Sequence, residues 1–214
     1  MTEGRLSMIG TSQKRPSRIH DLVKAPANTP WAQERKHSWD ARDPATVYYT
    51  PETLADGTPT TALTVILRTK GCHWWWSSGC TFCGYFNDTR DDVTSQDLHT
   101  QWEKSLAKFE DFESMGMVKV YTSGSLLEDR EIPLDFQERV LRDCHEMGKE
   151  LVVESRTEQL TMEKLEWATK INRFGFLNNL FPKKIKISSQ KLKKFYCDAG
   201  MLIVYPSELL INKK

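Results

Sequence analysis

The sequence predicts an α/β fold in which parallel strands alternate with helices. Three strand-like apolar segments begin near residues 63, 117 and 150, and each is followed by an amphipathic helical segment. Repeated strand-then-helix units imply a parallel sheet with right-handed crossovers. A cysteine-rich loop and two polar loops come directly after these strands. In barrels built from such units, the chemistry gathers where strands pass into helices, so we expect the three loops to lie together.

The first strand is predicted over Thr61 to Thr69, after a turn at Asp56-Gly57. Its continuous apolar character indicates burial on both faces of the sheet. Thr94 has the pattern of an N-cap, and the helix after it is predicted to end at Gly116. Spacings of three and four residues define its apolar stripe, which consists of Leu98, Trp102, Leu106, Phe109 and Phe112.

The second and third units follow the same pattern. Met117 to Tyr121 and Leu151 to Val153 are the predicted strands. Pro133 opens one helix, which Gly148 closes, and Thr161 caps the next helix, which runs to Ile171. The stripe of the helix after Pro133 is Phe136, Val140, Cys144 and Met147, so Cys144 is expected in the core.

Composition indicates a globular protein of one domain. The 214 residues are 39% hydrophobic and 28% charged, and no apolar run approaches the roughly 18 residues that span a bilayer. Residues 1–24 lack the apolar centre of a secretory signal. Five cysteines, three of them clustered, are more typical of a reducing compartment than of a disulfide framework. We therefore expect a cytoplasmic protein.

Three segments differ in character. Residues 1–30 are polar and read as a flexible arm, residues 31–171 hold the three units, and residues 172–214 form a basic tail. The part of the chain from residue 31 to 50 is expected to pack over one face of the core. The tail is either a natural basic extension or a frame-shifted end, because it is rich in residues that A/T-rich codons encode. Its apolar run from Met201 to Tyr205 is a candidate strand beside the last parallel strand.

The cysteine loop carries the strongest chemical signal. Cys72, Cys80 and Cys83 lie within twelve residues. Three thiolates can ligate three irons of a [4Fe–4S] cluster and leave the fourth iron open. A structural zinc site requires four protein ligands, so the alternative is a half zinc site completed by His73 or a distant residue. Cys197, in the tail, is not an expected ligand.

The segment from Cys80 to Cys83 resembles the end of the cluster motif of the radical S-adenosylmethionine (SAM) superfamily, with Phe82 as its aromatic residue. The gap between Cys72 and Cys80 is wider than most of that superfamily has. This gap, the tryptophan run and the Cys83-Gly84-Tyr85 ending resemble the Elp3/MiaB-like branch, near the archaeosine-forming radical SAM enzymes of archaea. The resemblance covers about residues 31–171. It implies a partial (β/α) barrel of radical SAM type, truncated after about three βα units.

The resemblance also implies contacts to SAM. Phe82 would pack on the adenine. The loop of Thr122, Ser123, Gly124 and Ser125 stands where relatives carry a Gly-Gly-Glu motif that holds the methionyl amine. This loop has no acid, so backbone carbonyls and hydroxyls would do that work. Glu154 and Arg156 resemble a Glu-x-Arg pair beside SAM, in which the guanidinium pairs with the methionine carboxylate. A plain turn and a structural ion pair are the alternatives for these two loops.

Two further groups of residues, the tryptophans of the loop and the lysines of the tail, each have two alternative roles. Trp74, Trp75 and Trp76 would either shield the cluster from water, the favoured interpretation, or stack on a base of RNA. The lysines of the tail would either bind phosphates or form a solvated end.

The activity implied by the resemblance is reductive cleavage of SAM to a 5′-deoxyadenosyl radical. The implied substrate is tRNA, on whose 7-deazaguanine base a partner enzyme has attached lysine. A lyase-type cleavage of a C–N bond then leaves archaeosine. No membrane or DNA partner is expected. The alternatives are a related radical enzyme with another target, a zinc-dependent RNA-binding module, and a truncated, inactive relic.

Overall fold

A computed structural model describes residues 38–77, 83–172 and 201–204 of the chain. The arm at residues 1–30, Cys80, Phe82, Cys197 and nearly all of the basic tail lie outside the described residues. The predictions made for them stay predictions.

The described residues form a mixed α/β fold around one five-stranded sheet with the order β1-β2-β3-β4-β5. β2, β3 and β4 pair in parallel, as the strand-then-helix order predicts. β1 and β5 pair antiparallel at the two edges, so the sheet is open and does not close into a barrel. The strands are β1 (Thr46–Thr53), β2 (Pro59–Ile66), β3 (Met117–Tyr121), β4 (Glu150–Glu154) and β5 (Met201–Val204).

Four α-helices connect the strands within the described ranges, and the N-caps predicted at Thr94 and Thr161 are confirmed. Thr94 and Asp97 form a capping box, and the hydroxyl of Thr161 accepts a bond from Lys164 N at 3.2 Å. None of the helices within the described ranges is long and apolar enough to cross a membrane. The helices are α1 (His73–Ser77), α2 (Ser95–Leu106), α3 (Leu134–Glu146) and α4 (Met162–Asn172).

The main core lies between the helices and one face of the sheet. Alternate strand residues point to that face, and the stripes of α2 and α3 pack against them. Cys144 is fully buried there, which confirms its predicted core position, and burial raises the pKa of its thiol. The buried side chains at the centre of this core include Leu63, Val118, Leu151, Trp102 and Phe136.

Three local predictions were wrong. In the segment 31–50, Ala41 packs against the core as expected, but residues 46–50 belong to edge strand β1, whose Val47 is a core residue, and do not lie over a face of the core. Asp56-Gly57 is the turn of a hairpin, with Gly57 at φ +92°. α2 ends at Leu106 rather than Gly116, because the chain turns there and continues through a 3-10 turn at Phe112–Ser114. Phe109 and Phe112 still pack on the core, so they continue the apolar stripe of α2 in the sequence although they lie beyond the helix. The tryptophan run is helical rather than a loop.

Candidate functional site

The three segments that follow β2, β3 and β4 meet at the carboxyl ends of these parallel strands. Arg156 Nη1 donates to Cys72 Sγ at 2.5 Å. A Cβ added at Gly124 would lie 3.0 Å from Cys72 Cβ and 3.1 Å from Arg156 Nη1. Glycine is therefore the residue that lets these segments approach. The placement that strand order predicts is confirmed for Cys72, Gly124 and Arg156.

The two polar loops form one surface. Leu126 N donates to the carbonyl oxygen of Glu154 at 3.1 Å, and the hydroxyls of Ser125 and Ser155 share a hydrogen bond of 2.8 Å. Ser125 and Ser155 are buried. Because these bonds join β3 and β4 beyond their last paired residues, the loops Thr122–Ser125 and Glu154–Arg156 are fixed relative to each other.

A buried acid that sequence reasoning missed organises the loop after β3. The carboxylate of Glu131 accepts bonds from Thr69 Oγ1 at 2.6 Å, Ser123 N at 3.1 Å and Ser125 N at 2.9 Å. Glu131 is 1% exposed. Burial raises the pKa of this carboxyl, although its hydrogen bonds oppose the shift. The loop itself lacks an acid, as predicted, but Glu131 supplies one from a short distance along the chain.

Arg156 is the other organising residue. Its Nη2 donates to Glu128 Oε2 at 2.5 Å, and its Nε donates to Glu158 Oε1 at 2.6 Å. Glu128 is buried, whereas Glu158 is exposed. With Cys72 on Nη1, each guanidinium nitrogen has a partner. The predicted contact to a methionine carboxylate stays a prediction, and it requires the exchange of one of these partners.

Glu154 lies on the opposite face of the sheet from the helices, because it alternates with the core residue Val153. It is half-buried, and burial raises the pKa of its carboxyl. Within the described part of the chain, no hydrogen bond or ion pair engages this carboxylate. Glu154 is therefore available to a polar ligand at the end of β4.

An aromatic pair lies against the two described cysteines of the loop. The rings of Trp75 and Phe86 stack with an interplanar angle of 9°, and each residue is 4% exposed. Cys72 and Cys83 are half-buried free thiols that pack against this pair. Trp75 thus has the position that the shielding interpretation requires. The first and last tryptophans of the run are exposed.

The donor set is compatible with a thiolate-bound cluster. Cys72 and Cys83 share one environment, and the Arg156 guanidinium is a favourable neighbour for a metal-bound sulfur. Among the described residues, no group of three or more His, Cys, Asp or Glu side chains is placed to hold a metal ion. The third cysteine of the loop, Cys80, lies outside the described residues.

Two of the known proteins to which the chain is similar carry the name archaeosine synthase subunit beta. The chain is 33% identical over 145 residues to an archaeosine synthase subunit beta from Methanosarcina acetivorans, which covers 66% of the chain and 37% of that protein. It is 31% identical over 123 residues to the protein of the same name from Thermococcus kodakarensis, covering 56% and 38%. An uncharacterized protein of Methanocaldococcus jannaschii is 32% identical over 133 residues, covering 59% and 36%.

The chain thus spans less than two fifths of the length of each of these relatives. No family model matches the sequence, and no solved structure matches it. The similarities relate the chain to proteins named for archaeosine synthesis.

Proposed function

We propose that the chain forms the cofactor-binding part of a radical SAM enzyme that acts on tRNA in archaeosine synthesis. The observation that carries the proposal is the contact of Cys72 with Gly124 and Arg156 at the carboxyl ends of three parallel strands. The similarity to archaeosine synthase subunit beta supports the tRNA substrate. The proposed reaction is the cleavage of a C–N bond on a lysine-modified 7-deazaguanine.

Cys72, Cys80 and Cys83 would hold a [4Fe–4S] cluster with one open iron. When bound, that group supplies the electron for reductive cleavage of SAM. Trp75 and Phe86 exclude water from the side of Cys72 and Cys83 on which they pack. A dry environment strengthens each electrostatic contact to a bound ligand.

The charge of the site favours a cationic ligand. The buried Glu128 balances the charge of Arg156, and Glu154 adds a carboxylate that has no partner in the described part of the chain. SAM carries a sulfonium and an ammonium group, so its positive charge is stabilised by Glu154. In the proposal, the carbonyls and hydroxyls of the loop Thr122–Ser125 bind the ammonium. Arg156 binds the carboxylate.

A second protein belongs to the proposal. The word subunit in the names of the relatives indicates that they work with another chain. We propose that the corresponding partner here is the enzyme that transfers lysine to the tRNA base.

Iron content after anaerobic reconstitution tests the proposal. We expect about four irons per chain in the wild-type protein and little iron in Cys72→Ala, Cys80→Ala or Cys83→Ala. Cys197→Ala is the matched control, because it removes a thiol outside the loop and should load as the wild type does. Reductive SAM cleavage should be lost with the iron. One bound zinc ion and no iron would instead support the zinc-dependent RNA-binding module.

A further inference from the structure

A pocket lies beside α1, separate from the contact of Cys72 with Arg156. Its volume is about 290 Å³, and Lys70, Gly71, His73, Trp76, Asp91 and Arg130 line it. The proposed SAM contacts do not include any of these residues. Since Gly71 and His73 flank Cys72 in the chain, a ligand in this pocket would lie beside the cysteine loop.

The pocket has basic side chains without acidic partners. Lys70 and Arg130 are exposed, and within the described residues neither forms an ion pair. Arg130 Nη1 lies 3.2 Å from each ring nitrogen of His73. Asp91 is the one carboxylate of the lining. An anionic group is therefore stabilised here, and lysine and arginine are the usual partners of phosphate.

The pocket also contains an aromatic ring that is held in place. The indole N–H of Trp76 donates to the carbonyl oxygen of Lys70 at 2.8 Å. The ring packs edge-on against Trp75 and Phe86, with interplanar angles of 88° and 80°. Even so, 43% of Trp76 is exposed. A ring that is already ordered loses little conformational entropy when a planar group stacks on it.

Gly71 makes this arrangement possible. Its φ is +96°, a conformation that side chains rarely adopt, and an added Cβ would lie 3.0 Å from Thr89 Cγ2 and 3.3 Å from Trp76 Nε1. The turn at Gly71 brings Lys70 and Trp76 to the same pocket. A phosphate-binding group and a stacking surface are thus fixed side by side.

We propose that this pocket binds one nucleotide of single-stranded RNA. The phosphate lies against Lys70 and Arg130, and the base stacks on Trp76, since unpaired bases are bound in this way by aromatic side chains beside basic grooves. Asp91 is then placed to accept a hydrogen bond from an amino group of the base. The inference rests on the proposed function, because it assigns the surface on which the tRNA substrate is held.

Binding of a mixed-sequence RNA decamer to the full 214-residue chain, followed by fluorescence anisotropy, tests the pocket. We expect Lys70→Glu and Arg130→Glu each to raise Kd about tenfold and to lower the salt slope by about one. Trp76→Leu should raise Kd about tenfold with an unchanged salt slope, because stacking involves no counterion release. Trp76→Phe keeps an aromatic face and should retain most of the binding.

Two controls match these changes. Arg142→Glu reverses an exposed charge on α3, and Tyr49→Leu removes a ring that is 60% exposed on β1; both lie outside the pocket. We expect Kd values within twofold of the wild type. An equal loss of RNA affinity in Arg142→Glu and Arg130→Glu would overturn the proposal, because it would indicate a general charge effect. Wild-type binding in all the pocket variants would also overturn it.

The test separates this inference from the proposed function. If the wild-type protein loads iron and cleaves SAM but the pocket variants bind RNA normally, the pocket assignment alone fails. If the wild-type protein binds no iron and the pocket variants still lose RNA binding selectively, the pocket assignment holds and the radical chemistry fails.

Discussion

Replacing Glu131 by glutamine tests the structural centre of the candidate site. In the wild type, Oε1 accepts bonds from Thr69 and Ser123, and Oε2 accepts a bond from Ser125. Glutamine has nearly the same size, but one of its two terminal atoms is a donor. Whichever way the amide turns, at least one buried donor of the loop then faces an N–H₂ group.

The size of the effect follows from burial. A buried donor left without an acceptor costs about 1–3 kcal/mol. The ionised form of Glu131 destabilises the fold, because burial disfavours its charge and so raises the pKa of this carboxyl above its ordinary value of 4.5. A raised pKa means that the stability contributed by Glu131 is fully present below pH 4.5 and is lost as the pH rises through the folded-state value. A glutamine at this position does not ionise, so the variant does not lose stability in this way as the pH rises.

We therefore expect Glu131→Gln to lower the free energy of unfolding by about 2 kcal/mol at pH 4.5, and by less at pH 8. Urea unfolding at both pH values measures the difference. Glu110→Gln is the matched control, since Glu110 is exposed, and its effect should stay within about 0.5 kcal/mol. A cost that grows from pH 4.5 to pH 8, or no cost at pH 4.5, would refute the reasoning.

Two further changes test the packing of the site and the edge of the sheet. Gly124→Ala places a Cβ against Oε2 of Glu131, so we expect a loss of about 1–3 kcal/mol of stability and reduced iron loading. In Gly84→Ala the added Cβ meets no described residue within 4 Å, so the free energy of unfolding should not change. Truncation after residue 172 removes β5 and exposes the edge of β4, so we expect a lower Tm and more light scattering than after truncation at Val204, which keeps β5. Identical behaviour of the two truncated chains would show that β5 contributes nothing.

The parallel strands and their helices were predictable because they depend on local patterns. The stripes of α2 and α3 place their apolar side chains at helical spacing, and the capping residue Thr94 precedes α2 directly. β1 was missed although its sequence is rich in Thr and Tyr, because the Asp56-Gly57 turn was assigned to the start of a single strand. Read as a hairpin turn, the same dipeptide predicts a strand on each side.

Glu131 was missed for a different reason. A glutamate in a sequence is normally taken for a surface residue, and only the folded chain shows what buries it. Its hydroxyl partner, Thr69, is 62 residues away, and its other donors are backbone groups that carry no sequence signal. Long-range polar contacts of this kind are set by the fold, so the residues that organise a site are harder to predict than those that carry its chemistry.

Arg156 links the predicted chemistry to the observed contacts. The prediction assigns its guanidinium to a ligand carboxylate, yet Glu128 and Glu158 occupy that role in the structure. The two acids differ in environment: the Glu128 side chain is 4% exposed and that of Glu158 is 44% exposed. An exposed ion pair contributes about 0.2–1 kcal/mol, whereas a buried acid separated from its partner is left as an uncompensated charge. A ligand carboxylate would therefore replace Glu158 and leave Glu128 in place.

The replacement of Glu158, rather than Glu128, by a ligand carboxylate can be tested by measuring SAM binding. In iron-loaded protein, Glu158→Gln removes the competing carboxylate, so we expect SAM to bind up to about fivefold more tightly. Glu128→Gln is the comparison, and it should weaken SAM binding because Arg156 then loses the buried partner that orients it. Equilibrium dialysis of SAM against the two variants gives both Kd values. Weaker binding in Glu158→Gln would mean that Arg156 does not exchange this partner for a ligand, and its role would then be to hold Cys72 and the loops together.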